Sequence, residues 1–196
     1  MNKDLISRLN EGPVICAEGY LFAMERRGYL QAGAFVPEVV LEHPEVVSQL
    51  HREFIRAGSD VVQAFTYYGH REKLRIIGKE HLLEPMQKGA LKIAKDAAAE
   101  FKDLDLMVCG DVANTNVFDP GDPNTHKQCQ QMYEEQVAWA KEAGVDFVIA
   151  ETINWTEEMK IALKAIKDAG LIAVCNFAIP RGDKTREGHT AEDACK

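Results

Sequence analysis

At 196 residues, 46% of them apolar, the chain has the size of a single domain and the means to build a sizeable core. Its net charge of −8, mixed along the sequence rather than blocked, excludes a general nucleic-acid binder, which presents a basic face. No apolar run reaches the roughly 18 residues that a membrane-spanning helix needs, so no membrane partner is expected.

Residues 1–12 form a polar lead-in with a short helix; they lack the apolar stretch of a secretory signal, which predicts a cytoplasmic protein. Five cysteines (Cys16, Cys109, Cys129, Cys175 and Cys195) without CxxC spacing are expected to be free thiols there. Pro13 to Cys16 is the first apolar strand, ending in Ala17-Glu18-Gly19, where a carboxylate stands beside a permissive glycine. A short helix follows from Leu21 to Leu30, then a loop that exposes Phe35. Apolar residues at helical spacing predict a helix over Pro37 to Ala57, divided at Pro44. Val61 to Phe65 is the second strand, with Thr66, Tyr67, Tyr68 and His70 at its tip. Paired tyrosines there can wall a pocket, and aromatic faces suit a cationic methyl group. His70 reads as a surface or helix-entry residue, since no His or Cys stands near it at metal-ligand spacing.

Lys79 to Phe101 is predicted helical, Leu104 to Cys109 is the third strand with Gly110 and Asp111 at its tip, and His126 to Ala143 is the next helix. Trp139 in that helix shares an apolar spacing and belongs to the core. The fourth strand, Asp146 to Ala150 within VDFVIAETIN, carries Glu151 at its end. Glu157 to Ala169 is its helix, and Leu171 to Cys175 is the fifth strand. Pro180 to Lys196 has no clear period.

Strands starting near residues 14, 60, 105, 146 and 171, alternating with helices, define an α/β chain with a parallel sheet. The expected fold is a parallel (β/α) barrel of TIM type with about five strands, incomplete relative to the eight of a closed barrel. In such barrels chemistry collects at the C-terminal strand ends, which here carry Glu18, Asp111 and Glu151.

The segments EGYLFAMERRGYLQAG (18–33) and AGSDVVQAFTYYG (57–69), together with IAET (149–152), resemble the homocysteine S-methyltransferase family, most of all its betaine-using branch. The resemblance implies that residues 1–196 are the homocysteine-binding, N-terminal part of a (β/α)8 barrel. It implies an enzyme that moves a methyl group from a betaine-like or sulfonium donor to the thiol of homocysteine, giving methionine. Glu151 matches the family's carboxylate at the fourth strand and would hold the substrate's amino group or order the donor site. Where many relatives carry an Asp that grips homocysteine this chain has Ala17, and Glu18 beside it is expected to take over. Glu18 and Glu151 are thus the expected catalytic pair. Gly19 lies in the same loop; Gln63, Thr66, Tyr67 and Tyr68 match the second-strand motif, with Tyr68 facing the donor. Phe35 stands where betaine enzymes have Trp, and Thr152 where they have Tyr, which weakens the quaternary-ammonium pocket. The resemblance also implies zinc, held by three cysteines in segments beyond Lys196, and no metal ligand within the chain.

Two other classes stay open. One is a non-catalytic relative that binds amino acids or assembles as a homo-oligomer through open strand edges. The other is a barrel lyase with a divalent metal among Glu18, Asp111 and Glu151. A metal site of Cys16, Cys109 and Cys175 is disfavoured against small buried thiols, and no Lys stands at a strand tip for Schiff-base chemistry.

Overall fold

The computed structural model describes residues 3–30, 38–179 and 182–196, so the expectation for Phe35 falls outside the described residues. The sheet is parallel and ordered β1 (Val61–Gln63), β2 (Met107–Ala113), β3 (Phe147–Ile153), β4 (Ile172–Phe177), each strand beside the next in sequence. Ahead of β1 come α1 (Leu5–Leu9), α2 (Tyr20–Arg26), α3 (Val39–Glu42) and α4 (Pro44–Arg56). The crossovers are α5 (Arg71–Ile76) with a 3-10 turn at Glu80–Leu82 and α6 (Leu83–Ala99), then α7 (Pro123–Ala143), then α8 (Thr156–Asp168); α9 (Ala191–Ala194) follows β4. This is the expected α/β architecture of an incomplete barrel. No helix among the described residues is long and apolar enough to cross a membrane.

The first expected strand is corrected. It contributes one bridge, Cys16 to Val61, rather than a ladder. Side chains share the pairing: Asp60 N and Val61 N donate to Ile15 O, but Ile15 N donates to Asp60 Oδ2 at 2.8 Å and Ala17 N to Ser59 Oγ at 3.0 Å. Pro13 has no N–H to offer. The expected strand ends also move: β1 stops at Gln63, short of Phe65, and β4 runs past Cys175 to Phe177. β2 continues through Asp111 to Ala113, and β3 through Glu151 to Ile153, because a strand tolerates polar residues wherever every second side chain faces a polar space.

Helix boundaries follow local chemistry. Pro44 occupies the first turn of α4 and Pro123 that of α7, where a missing N–H costs nothing. Asp122 caps α7 by accepting from Asn124 N at 2.9 Å, which starts this helix before the expected His126. His70 stands at a helix entry, as read, but is 1% exposed rather than on the surface: its Nδ1 accepts from Lys73 N and caps α5, a helix that apolar spacing did not reveal.

The sheet separates two apolar clusters. Val62, Ala64, Val108, Val112, Val148 and Ala150 face the helices and meet Leu50 of α4, Met86 and Leu91 of α6, Val137 and Ala140 of α7 and Ile166 of α8. Trp139 packs, half-buried, against the same core. Each fully buried aliphatic side chain contributes about 1.5–3 kcal/mol. Gly110 lets α7 come close, since a Cβ there would lie 3.0 Å from the Ala140 Cβ. On the other face Leu5, Val61, Met107, Cys109, Phe147 and Ile149 fill the barrel floor, with Ile172 and Val174 of β4 half-buried beside them.

Candidate functional site

Above that floor the inward positions turn polar: Gln63 of β1, Asp111 of β2 and Glu151 of β3. In a barrel, alternate strands supply one layer, so Gln63 and Glu151 reach one another over β2. Gln63 Nε2 donates to Glu151 Oε1 at 3.0 Å. Glu151 is aimed by a bulge. Ala150 pairs with Cys175 and Ile153 with Phe177, leaving one extra residue on β3. Thr152 in that bulge has a φ of 55°, a left-handed conformation that a β-branched residue rarely adopts, and its hydroxyl donates to Glu151 O at 2.7 Å.

These side chains open into a cavity of about 310 Å³. Its described lining runs from Glu18 to Phe22 on one side and comprises Gln63 to Phe65, Tyr67, Asp111, Glu151 and Thr152 on the others. Gly19 enters α2 with a φ of 89°, which brings Glu18 to the rim just before the helix. Phe22 is 60% exposed and presents an open aromatic face. Tyr20 is buried by ring contacts with Phe54 and Phe65, and its hydroxyl shares a 3.0 Å hydrogen bond with His51 Nδ1.

The electrostatics are those of crowded carboxyls. Asp111 is 3% exposed, and no donor among the described residues reaches either of its oxygens. Burial first, and then the Glu151 carboxyl that it contacts, push its carboxyl well above the usual range. Glu151 is also raised, chiefly by burial and further by Glu18, against the opposing bonds from Asp111 and Gln63. Both carboxyls are raised and in contact, so they take up and lose protons as a pair. The neighbouring Cys109 thiol is held in its protonated form by burial and by Cys16.

Of the expected site residues, Glu18, Gly19, Gln63, Tyr67, Glu151 and Thr152 line the cavity together. Thr66 and Tyr68 are not on its wall. Thr66 is buried, its hydroxyl donating to Asp111 O at 2.9 Å, so it ties β1 to β2. Tyr68, with a φ of 57°, packs on Tyr67 at 4.2 Å, and Lys73 Nζ lies 4.4 Å from its ring centre, which occupies a face that a cationic donor would need. Tyr20, Leu21, Phe22, Ala64, Phe65 and Asp111 are the lining residues that the sequence did not assign to substrate. The signal available for Asp111 was its inward register, two residues beyond Cys109.

No group of three His, Cys, Asp or Glu side chains among the described residues is arranged to hold a metal ion. Glu18, Asp111 and Glu151 share a cavity without forming such a group. Cys16 and Cys109 face the interior, whereas Cys175 pairs in register with the outward Ala150 and is exposed. The described residues therefore do not fit zinc.

The second buried polar cluster is structural. Glu158 at the start of α8 accepts from Thr115 N at 2.8 Å, Thr115 Oγ1 at 2.6 Å and Tyr133 OH at 3.2 Å, and so pins the loop after β2.

Fold and site together define a (β/α)-barrel chain with a carboxylate-lined pocket at the C-terminal strand ends. Residues 19–196 match the family model described as homocysteine S-methyltransferase. The chain is 36% identical over 189 residues to betaine–homocysteine S-methyltransferase 1 of Bos taurus and 35% identical over 187 residues to that of Mus musculus, covering 93% and 92% of this chain. It spans 45% of the length of each of those relatives. The metallated form of the homocysteine methyltransferase MmuM from Escherichia coli superposes with a TM-score of 0.80 over 97% of this chain and 72% of its own, at 17% identity. The chain belongs to the homocysteine S-methyltransferase family.

Proposed function

We propose that this chain forms the amino-acid-binding part of an enzyme that transfers a methyl group from a betaine-like or sulfonium donor to homocysteine, giving methionine. The observation that carries the reading is the bulged end of β3, which directs Glu151 into an apolar-walled cavity at the strand ends, where the family match also runs. Glu151, oriented by Gln63, takes the substrate's ammonium group. Glu18, at the rim, adds a second negative charge to the same end of the cavity. Phe22 and Tyr67 supply aromatic faces for a positively charged donor, and Gly19 and Thr152 shape the entry. Holding thiol and methyl carbon in line while excluding water is the protein's main contribution.

Zinc would supply a bound thiolate as nucleophile. Its ligands would have to come from outside the described residues, so the chain by itself is proposed to bind homocysteine and to hold less than one zinc ion. A cytoplasmic location and small-molecule partners complete the reading.

Equilibrium dialysis tests it with a paired ligand. L-homocysteine is expected to be retained by the chain, and 4-mercaptobutanoate, which keeps the thiol and carboxylate but lacks the ammonium, is not. Equal retention of the two would contradict the role of Glu151. Metal analysis of chain purified without chelator checks the division of labour, which one tightly held zinc per chain would overturn.

A further inference from the structure

Glu18, Asp111 and Glu151 converge on one cavity, and no Lys, Arg or His appears among its described lining residues. Acidic crowding alone would be unremarkable. The informative group is Asp111: 3% exposed, among the residues that line the cavity, with both oxygens buried behind its wall and lacking a donor. A buried carboxyl left in that state costs about 1–3 kcal/mol. Asp111 projects from the middle of a well-formed strand, so the fold holds it there. Its contact with the Glu151 carboxyl is possible only if one of the two is protonated.

We propose that Asp111 and Glu151 share one proton in the empty site, and that the ammonium group of an amino-acid ligand displaces that proton to the buffer. This deepens the reading given above and rests on it. The step balances simply. The Asp111 O–H bond breaks, its proton leaves to a buffer base, and the incoming R–NH3+ donates to the two carboxylates in its place. At the carboxyl pair the ammonium's positive charge replaces that of the displaced proton, so that end of the cavity keeps its net charge, while the ligand's own carboxylate lies outside the exchange. Asp111 thereby selects for a ligand carrying a full positive charge with several N–H donors. It is a specificity residue, working on the same ligand group as Glu151.

The titratable groups that face the pair are few. Cys16 approaches from the segment before α2, Glu18 from the loop at Gly19, and Cys109 from β2 itself. Tyr20 stands on the α2 side and Tyr67 at the end of β1. Burial holds Tyr20, Tyr67 and Cys109 in their neutral forms well past neutrality. The displaced proton is thus the carboxyl one.

Two measurements on the full chain test this. Infrared difference spectroscopy of ligand-free protein at pH 7, Asp111→Asn against wild type, is expected to reveal the carbonyl stretch of a protonated carboxylic acid that the variant lacks. Calorimetric titration with L-methionine in two buffers of different ionisation enthalpy is expected to give a net release of protons and an affinity that rises with pH, by up to about tenfold per pH unit where one proton is released. In Asp111→Asn the release and the pH slope both vanish. 4-(Methylthio)butanoate, without the ammonium, releases none. Absence of the acid band from wild type overturns the inference, as does L-methionine binding without proton release, which leaves the homocysteine reading standing. Failure of L-methionine to bind at any pH overturns that reading and the inference with it. Should Asp111→Asn not fold, the wild-type pH titration of the acid band against L-methionine decides the matter alone.

Discussion

The two faces of the sheet are built from the same strands, one residue out of step, and they are not alike. The outward residues Val62, Val108, Val148 and Ala150 meet helices across an apolar interface. The inward residues begin the same way, with Val61, Met107, Phe147 and Ile149, and then change to Gln63, Asp111 and Glu151 toward the strand ends. Period-two alternation lets a chain separate its stabilising face from its chemical one without adding an element. The outward face gains by excluding polar groups. The inward face keeps carboxyls close together at a cost, and that cost makes it responsive to ligand and pH.

The comparison fails if outward substitutions leave stability alone. Leu91→Ala in α6, at a residue 1% exposed between the sheet and the helical layer, is expected to lower unfolding free energy by about 2–5 kcal/mol in denaturant titration. It should leave the pH dependence of stability unchanged.

Acid is a lever of at least the same size, and it acts through the outer layer. Burial pulls His51 down to about 3 and His70 to about 4, against an ordinary value near 6.5. A histidine lowered in the folded state must be neutral there, so its contribution is complete above about pH 6.5 and is lost as pH falls toward the folded value. Each costs about tenfold in the folding constant per pH unit over that window. Thermal melts from pH 7 down to pH 4 are expected to show this decline, and His51→Gln should flatten it.

The inner face has the opposite sign. Asp111 is raised in the folded state, so it is protonated there when the unfolded chain has lost the proton. Its contribution is therefore destabilising above the ordinary carboxylate pKa, increasingly so up to its folded value. Asp111→Asn, a permanent donor to Glu151, should stabilise the chain by about 1–2 kcal/mol at pH 8 and by less at pH 5. Equal melts for variant and wild type at pH 8 would mean that the inner face bears no such cost.

Much of the sheet is legible in the sequence because parallel strands, covered on both faces, read as continuous apolar runs. Val61, Met107, Phe147 and Ile172 each begin a strand within a few residues of the expected place. Strand ends are not legible in that way. A run appears to stop at its first polar residue, yet Asp111 and Glu151 lie inside β2 and β3, since inward polar residues mark the site rather than the end of the strand. The segment from Pro13 to Cys16 misleads for the reverse reason: it is apolar, but Asp60 and Ser59 take its backbone groups through side chains that lie about 45 positions away. At the site, Glu18 and Glu151 stand out as carboxylates near strand ends and Gln63 through the family resemblance, and the three line one cavity. Tyr68 is not among the lining residues, and its left-handed backbone goes with ring contacts to Tyr67 and Lys73 that a linear pattern does not reveal. The contact between Asp111 and Glu151 is a property of the pairing of β2 with β3, which no local pattern encodes.

The most direct test of the account is the calorimetric affinity of the full chain for L-homocysteine, measured for wild type and Glu151→Gln with the fold of each verified by melting. The account predicts binding by wild type and a loss of tenfold or more in the variant, whose folded state is as stable as wild type or more so. Equal affinity in the two proteins, or no binding by a folded wild type, would contradict it.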